Sequence, residues 1–258
     1  MATNGTTNGT SATNGHSTHN IAPKITFYTN HRCPWAQRAA ITLDELNLPY
    51  EEVIIDLDTP RPQWYLDINP RGLVPSIKYS VPGLLDEEII TESAVVSQFL
   101  ADAFPSHLLP ASKESPTSAL FRARVNFFND TWSNKVAPFQ FQVMRAQGEE
   151  KDAKVEEWVK AVEKEIEPLL AHAKPFFGGS EKLTLAEVLA APFLLRWNTF
   201  INDGELLPKS LGEKLGALPN FSKWQKAVIA ESNVRKVYDE EAILAGTKKK
   251  LKEMAAKK

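Results

Sequence analysis

Apolar and polar positions recur with two different periods along the chain, and the change falls near residue 105. Residues 24–29 (KITFYT) are short, β-rich and bounded by polar residues, which predicts a strand. Pro34 suits the first position of a helix, where its missing N–H costs nothing. Ala36, Ala39, Ala40, Leu43 and Leu46 then recur at helical spacing until Pro49 forces an exit. Residues 50–57 (YEEVIIDL) predict a second strand, and Pro60 and Pro62 open a short helical or irregular stretch around Trp64. Residues 73–79 (LVPSIKY) predict a third strand, in which Pro75 cannot donate to a ladder and so marks an edge, a bulge or a turn. Pro82-Gly83 predicts a hairpin turn, residues 84–90 a fourth strand and residues 91–103 a helix. The order β-α-β, a linking segment, then β-β-α predicts a mixed sheet with helices packed on it over residues 21–104.

Residues 105–116 are rich in Pro and Ser and predict a linker. Beyond them the strand signals stop. Residues 119–147, 154–173, 185–201 and 221–230 all show helical spacing, so residues 117–245 predict an all-helical second domain. Leu183-Thr184-Leu185-Ala186-Glu187-Val188 is a helix start: Thr184 caps, Glu187 is its capping-box partner, and Leu183 staples against Val188. That motif nucleates a helix and does no chemistry. Residues 246–258 form a Lys-rich C-terminal tail, with six lysines and one glutamate after residue 247, and predict a solvated or frayed end rather than a docking patch. Residues 1–20 are almost all Thr, Asn, Gly, Ser and Ala and predict a disordered tail; they lack the basic start and apolar run of a secretory leader.

The chain has 258 residues, 43% hydrophobic and 24% charged, with a formal net charge of −2. That balance gives no signal for nucleic acid or anionic lipid, and no apolar stretch is long enough to span a bilayer. The single cysteine, Cys33, excludes an intramolecular disulfide and fits a reducing compartment, which predicts a cytoplasmic protein. No metal site is predicted.

Cys33 stands where a strand ends and a helix begins, at the N-cap. Free N–H groups of the first turn and the positive end of the helix dipole favour a thiolate there. His31, Arg32 and Arg38 are near in sequence and add to that field, so a lowered thiol pKa and a nucleophilic Cys33 are expected. No second cysteine lies within the next turn, so a redox cycle must borrow an outside thiol, and glutathione is the obvious one. Two other features each allow two readings. At Val74-Pro75, a cis bond would leave the Val74 backbone free to pair with an extended peptide, while a trans edge proline would not. Glu92-Ser93 at a helix start suits the charged head of an amino acid, and capping explains it equally well.

The runs Cys33-Pro34-Trp35-Ala36-Gln37-Arg38, Arg61-Pro62-Gln63-Trp64-Tyr65, Asn69-Pro70-Arg71-Gly72-Leu73-Val74-Pro75 and Thr91-Glu92-Ser93 resemble, in that order, those of cytosolic glutathione transferases. Within them the similarity is to the cysteine-type omega and lambda classes and their fungal relatives, and it covers roughly residues 21–245. The resemblance implies a thioredoxin-like first domain and an all-helical second one, with a homodimer as family precedent. It implies glutathione as co-substrate, with Cys33 facing its sulfur, Pro34 beside it, a cis bond at Pro75 with Val74 pairing to the cysteinyl backbone, Glu92 and Ser93 on the γ-glutamyl head, and Arg61 on the glycine carboxylate. Trp35 departs from the Phe or Tyr usual in omega enzymes and is shared with glutathionyl-hydroquinone reductases. The second substrate, a small hydrophobic or thiol-linked acceptor, is expected between the domains near Trp35, Phe128, Trp132 and Trp197; aromatics at helical spacing are also what a core supplies. The expected activity is that of a thiol transferase or glutathione-dependent reductase. The alternatives are a transferase conjugating glutathione to a small electrophile, including in fungal secondary metabolism, and a non-catalytic binding or carrier protein.

Overall fold

In a computed structural model, which describes residues 22–256, the chain forms a four-stranded sheet with three helices, followed by an all-helical half. The expected tail over residues 1–20 lies outside the described residues. The first half runs β1 (Lys24–Thr29), α1 (Pro34–Glu45), β2 (Glu51–Ile54), α2 (Gln63–Ile68), β3 (Ser76–Val81), β4 (Leu85–Thr91) and α3 (Ser93–Ala103). The sheet order is β2-β1-β3-β4, with β1 parallel to β2 and antiparallel to β3, which is itself antiparallel to β4. The period of two along β1 sends Ile25 and Phe27 into a core with Ala39, Ala40, Leu43, Val96 and Leu100, beneath α1 and α3. Tyr28 faces the other way, onto Tyr65 of α2 and Val74. Pro75 precedes β3 rather than interrupting it. This corrects the edge reading: β3 is a central strand, and the Val74–Pro75 bond before it is cis.

The second half runs α4 (Ser118–Thr131), α5 (Phe139–Arg145), α6 (Gly148–Glu165), α7 (Leu185–Asp203), α8 (Lys209–Gly216), α9 (Pro219–Ala230), α10 (Ser232–Arg235) and α11 (Glu240–Ala255). The single helix expected over residues 119–147 is broken. A π-turn occupies Trp132–Val136, where Ala137 N–H reaches back five residues to Trp132 O, and Pro138, without an N–H, then starts α5. The helix expected over residues 154–173 ends at Glu165, and Pro168 sits in a short 3₁₀ turn after it. The linker is anchored: Leu108 and Leu109 are buried, and Leu108 O accepts from Leu185 N–H at the start of α7.

The core of this half is aromatic. Trp132 stacks on Trp197 with centroids 4.9 Å apart, Trp158 meets Trp197 edge-on at 4.7 Å, and Phe128 packs on Trp224 at 5.6 Å. Through that core runs α7. Its start is the expected capping box, with Thr184 Oγ1 accepting from Ala186 N–H and Glu187 accepting from the Thr184 backbone. Its end is Gly204, at φ 79°, a left-handed conformation that glycine adopts at no steric cost.

The expected Lys-rich tail over residues 246–258 is corrected: α11 crosses residue 245 without a break and carries the lysines to Ala255. Asp239 caps it by accepting from Ala242 N–H, Glu240 and Glu241 lie in its first turn, and the lysines follow toward its C-terminus, the arrangement that complements the helix dipole. Lys248 then ties it to the end of α7 through Asp203, at 2.6 Å, and Glu205, at 2.7 Å.

The two halves share α1. Every residue from Ala36 to Leu43 is buried, because the sheet covers one face and α7 the other. The polar residues trapped there are paired: Arg38 Nε donates to Leu189 O at 2.6 Å, and Gln37 Oε1 accepts from Arg196 Nη1 at 2.7 Å. Arg196 also donates to Arg32 O at 3.0 Å. These bonds fix the first turn of α1 against α7, and so fix whatever stands at its N-terminus.

Candidate active site

Cys33 is the N-cap of α1, in extended conformation, with Gln37 N–H bonded to its carbonyl. The turn that delivers it is held by Asn30, whose side chain donates to Ile55 O at 2.9 Å and accepts from Arg32 N–H at 3.0 Å. Cys33 Sγ is part-buried and lies 3.9 Å from Val74 O, so the thiol donates toward the residue before the cis proline. Val74 N–H finds no acceptor among the described residues. The loop presenting Val74 is braced from behind: Tyr65 Oη and Asn69 Nδ2 both donate to Leu73 O, at 2.5 and 2.9 Å.

The thiol pKa is raised above the ordinary value, against the lowered one expected. Burial is the largest cause. The amides of Trp35 and Ala36 pull the other way, and so do the charges of Arg196 and Lys250, without overcoming it. Neither amide closes a capping bond to the sulfur. Two of the three basic residues expected to act are engaged elsewhere, His31 with Glu52 at 2.8 Å and Arg32 with Asp58 at 2.6 Å, while Arg38, buried toward α7, still interacts with the charge of Cys33. The cations that pull the thiol pKa down come from α7 and α11, 163 and 217 residues away in sequence, and no local signal pointed to them.

Glu92 has φ 70°, uncommon for any residue but glycine, and its carbonyl accepts from Val96 N–H in the first turn of α3. Its carboxylate takes a bond from Arg71 at 2.5 Å. Ser93 is buried at the first position of α3, with Arg38 Nη1 3.4 Å from its Oγ. Arg61 does not project a free guanidinium. Its nitrogens donate to Gly72 O at 3.0 Å, Asp56 O at 2.6 Å, Thr59 O at 2.5 Å and Leu57 O at 3.4 Å, so it holds its own loop together. Gly72 permits this, since a Cβ there would stand 2.9 Å from Arg61 Cγ.

Between the halves lies a cavity of about 420 Å³ with Cys33 and Pro34 in its wall. Its apolar lining is Leu57, Met144, Phe200, Ile243, Leu251 and Met254. A larger depression of about 640 Å³ lies beyond α5, between Pro138 and Lys154, and holds no nucleophile. The expected pocket aromatics are corrected. Phe128, Trp132 and Trp197 are fully buried in the helical core, because the spacing that places them together faces them inward. Trp197 reaches the cavity only through Gln140, a lining residue that accepts its Nε1–H at 2.9 Å. Trp35 points away from the cavity, packing on Phe193 at 4.9 Å and under Arg38. Among the described residues no helix is long and apolar enough to cross a membrane, and no group of side chains is arranged to hold a metal ion.

Comparison with known proteins agrees with this geometry. The glutathione S-transferase N-terminal domain family matches residues 27–111. Glutathione S-transferase DHAR2 of Arabidopsis thaliana is 32% identical over 193 residues, 74% of this chain and 78% of its own. Glutathione transferase Omega 2C from Trametes versicolor superposes with a TM-score of 0.73 at 30% identity, covering 88% of this chain and 98% of that one. Glutathione transferase Omega 2S from the same fungus, in complex with 2,4-dihydroxybenzophenone, superposes with a TM-score of 0.70 at 27% identity, covering the same shares.

Proposed function

The chain belongs to the glutathione transferase family, and from that premise we propose that it is an omega-like thiol transferase, or glutathione-dependent reductase, whose nucleophile is Cys33. The observation that carries this reading is the position of Cys33, the only cysteine, at the start of α1, in the wall of a cavity between the two halves and beside Val74 O. Glutathione pairs as an added strand with the Val74 backbone, and its γ-glutamyl head meets Glu92 and Ser93. The strained φ of Glu92 supports this, because a non-glycine residue there costs about 1–3 kcal/mol and such residues cluster at ligand sites. The glycine carboxylate is left to a partner other than Arg61.

In the reaction the Cys33 thiolate attacks the glutathionyl sulfur of a mixed disulfide. The S–S bond breaks, the acceptor leaves as a thiolate and takes a proton, and Cys33 keeps the glutathionyl group. A second glutathione thiolate attacks that group, releasing oxidised glutathione and free Cys33. The lone cysteine and this need for glutathione suit a reducing cytoplasm.

A conjugating transferase is the competing reading, supported by the apolar wall of the cavity. Steady-state rates on a glutathionyl mixed disulfide and on an aromatic chloride electrophile separate the two. The thiol-transfer reading expects kcat/KM on the disulfide to exceed that on the electrophile by at least about a hundredfold; the reverse order would sink it.

We also infer a homodimer. Leu120 and Phe127, two turns apart on one face of α4, are exposed, as is Val95 on the neighbouring α3, which Arg122 and Asp102 join to α4 at 2.7 Å. Sedimentation equilibrium is expected to give twice the chain mass, and Phe127→Asp to shift it toward one. A wild type that sediments as a single chain at micromolar concentration contradicts the dimer.

A further inference from the structure

The wall of the cavity beside Cys33 carries more cationic than anionic groups. Arg32, Arg145, Arg196 and Lys250 line it against one acid, Asp58, which is already held by Arg32 at 2.6 Å. Lys250 and Arg145 have no carboxylate partner among the described residues. The contrast within α11 is informative. Lys248 binds Asp203 and Glu205, and Lys249 approaches Glu253 at 3.9 Å, while Lys250 turns to the cavity and pairs with nothing. Arg196 is the third. It is buried, and its bonds go to neutral oxygens only: Gln37 Oε1, Pro192 O and Arg32 O. A buried guanidinium without an acid lacks charge compensation, and burial lowers its pKa to about 10. Apart from Gln140, Gly246 and Thr247, the rest of the wall is apolar, and includes Met144, Phe200, Ile243 and Leu251.

We propose that the acceptor site takes an apolar, ring-sized molecule that carries a carboxylate, with the ring against α5, α7 and α11 and the carboxylate between Lys250, Arg145 and Arg196. An anion placed there compensates Arg196 and joins two free cations, in a cavity whose apolar wall favours the rest of the ligand. This rests on the thiol-transferase reading for the place of glutathione, but binding itself does not need the Cys33 sulfur. Glutathione also carries carboxylates, so the same cations could serve it instead, and the experiment separates the two sources.

The test uses the full chain with Cys33→Ser, saturated with glutathione, and titrates 2-naphthoate and 2-naphthamide by calorimetry. The acid is expected to bind at least about tenfold tighter than the amide. Adding Lys250→Gln and Arg145→Gln should bring the two affinities together by weakening the acid and leaving the amide unchanged. Equal affinities in the parent protein, binding by neither ligand, or a preference that survives both substitutions would overturn the proposal. So would a preference seen without glutathione and abolished by it, since the cations then belong to glutathione. A Cys33 that proves not to be the nucleophile leaves every arm of this measurement readable.

Discussion

Replacing Cys33 with serine is expected to lower turnover of a glutathionyl mixed disulfide on the order of a thousandfold or more, because no other residue can carry the covalent intermediate. The loss will not come from unfolding. Cys33 is only part-buried and its backbone bonds, to Asn30 O and from Gln37 N–H, do not involve the sulfur. A serine hydroxyl is smaller and can donate to Val74 O, so stability should change by no more than about 1 kcal/mol. The pH dependence follows from the direction of the shift. Burial raises the thiol pKa, so at neutral pH the resting sulfur is mostly protonated. The rate of inactivation by iodoacetamide should therefore still be climbing as the pH passes the ordinary thiol range, with a midpoint above that of the urea-unfolded chain. A plateau already reached at pH 7 would mean that the helix amides, Arg196 and Lys250 outweigh burial. Lys250→Gln removes one cation and should move the midpoint higher still.

The second large effect is on stability. Glu187→Ala is expected to cost about 3–5 kcal/mol, read as a fall of about 10 °C in Tm. The carboxylate is fully buried and accepts four bonds: from Phe177 N–H at 2.8 Å, Thr184 N–H at 2.8 Å, Thr184 Oγ1 at 2.6 Å and Trp224 Nε1 at 2.7 Å. Burial pushes its pKa up and these four donors pull it back. Alanine leaves all four donors unpaired around a cavity, and each unpaired buried group costs about 1–3 kcal/mol before relaxation. Glu187→Gln keeps the volume and one acceptor oxygen but turns an NH₂ toward N–H groups, so it should fall between. If both variants melt within a degree of wild type, Glu187 is a local cap and nothing more.

That residue shows where reading the chain stops. The capping box is local, and Thr184-Leu185-Ala186-Glu187 announces it in four letters. The second half of Glu187's role, accepting from Phe177 and Trp224, joins segments that meet only in the folded molecule. The same division runs through the active site. The β1–Cys33–α1 start was visible because it depends on neighbours in sequence, whereas the local residues left cis and trans at Val74–Pro75, and the role of Glu92-Ser93, open, and only the family resemblance chose the cis bond that the structure has. The charges of Arg196 and Lys250 were not visible, because they reach the sulfur across the domain boundary. Arg38 and Arg32, near in sequence, bond to Leu189 O and Asp58.

Helical spacing also cannot tell inward from outward on a helix buried on more than one side. Phe128 and Trp132 lie four apart, a pattern that suits a pocket or a core, and the packing of α4 against α7 decides for the core. For α11 the signal was present: Asp239, then Glu240 and Glu241, then apolar Ile243 and Leu244 before the lysines. Its charge density suggested a solvated end, but Ile243, Leu244 and Leu251 give it an apolar stripe that packs on the core and puts Lys250 at the cavity.

The most direct test of the nucleophile is the rate at which oxidised glutathione adds to the folded chain, followed by intact mass. A raised thiol pKa alone would make the folded protein slower than the same chain in urea. The opposite is expected at pH 7: one glutathionyl adduct, formed faster when folded, because Val74, Glu92 and Ser93 hold the disulfide against Cys33, and reversed by excess glutathione. A folded chain that stays unmodified, or gains its adduct more slowly than the unfolded one, would contradict it.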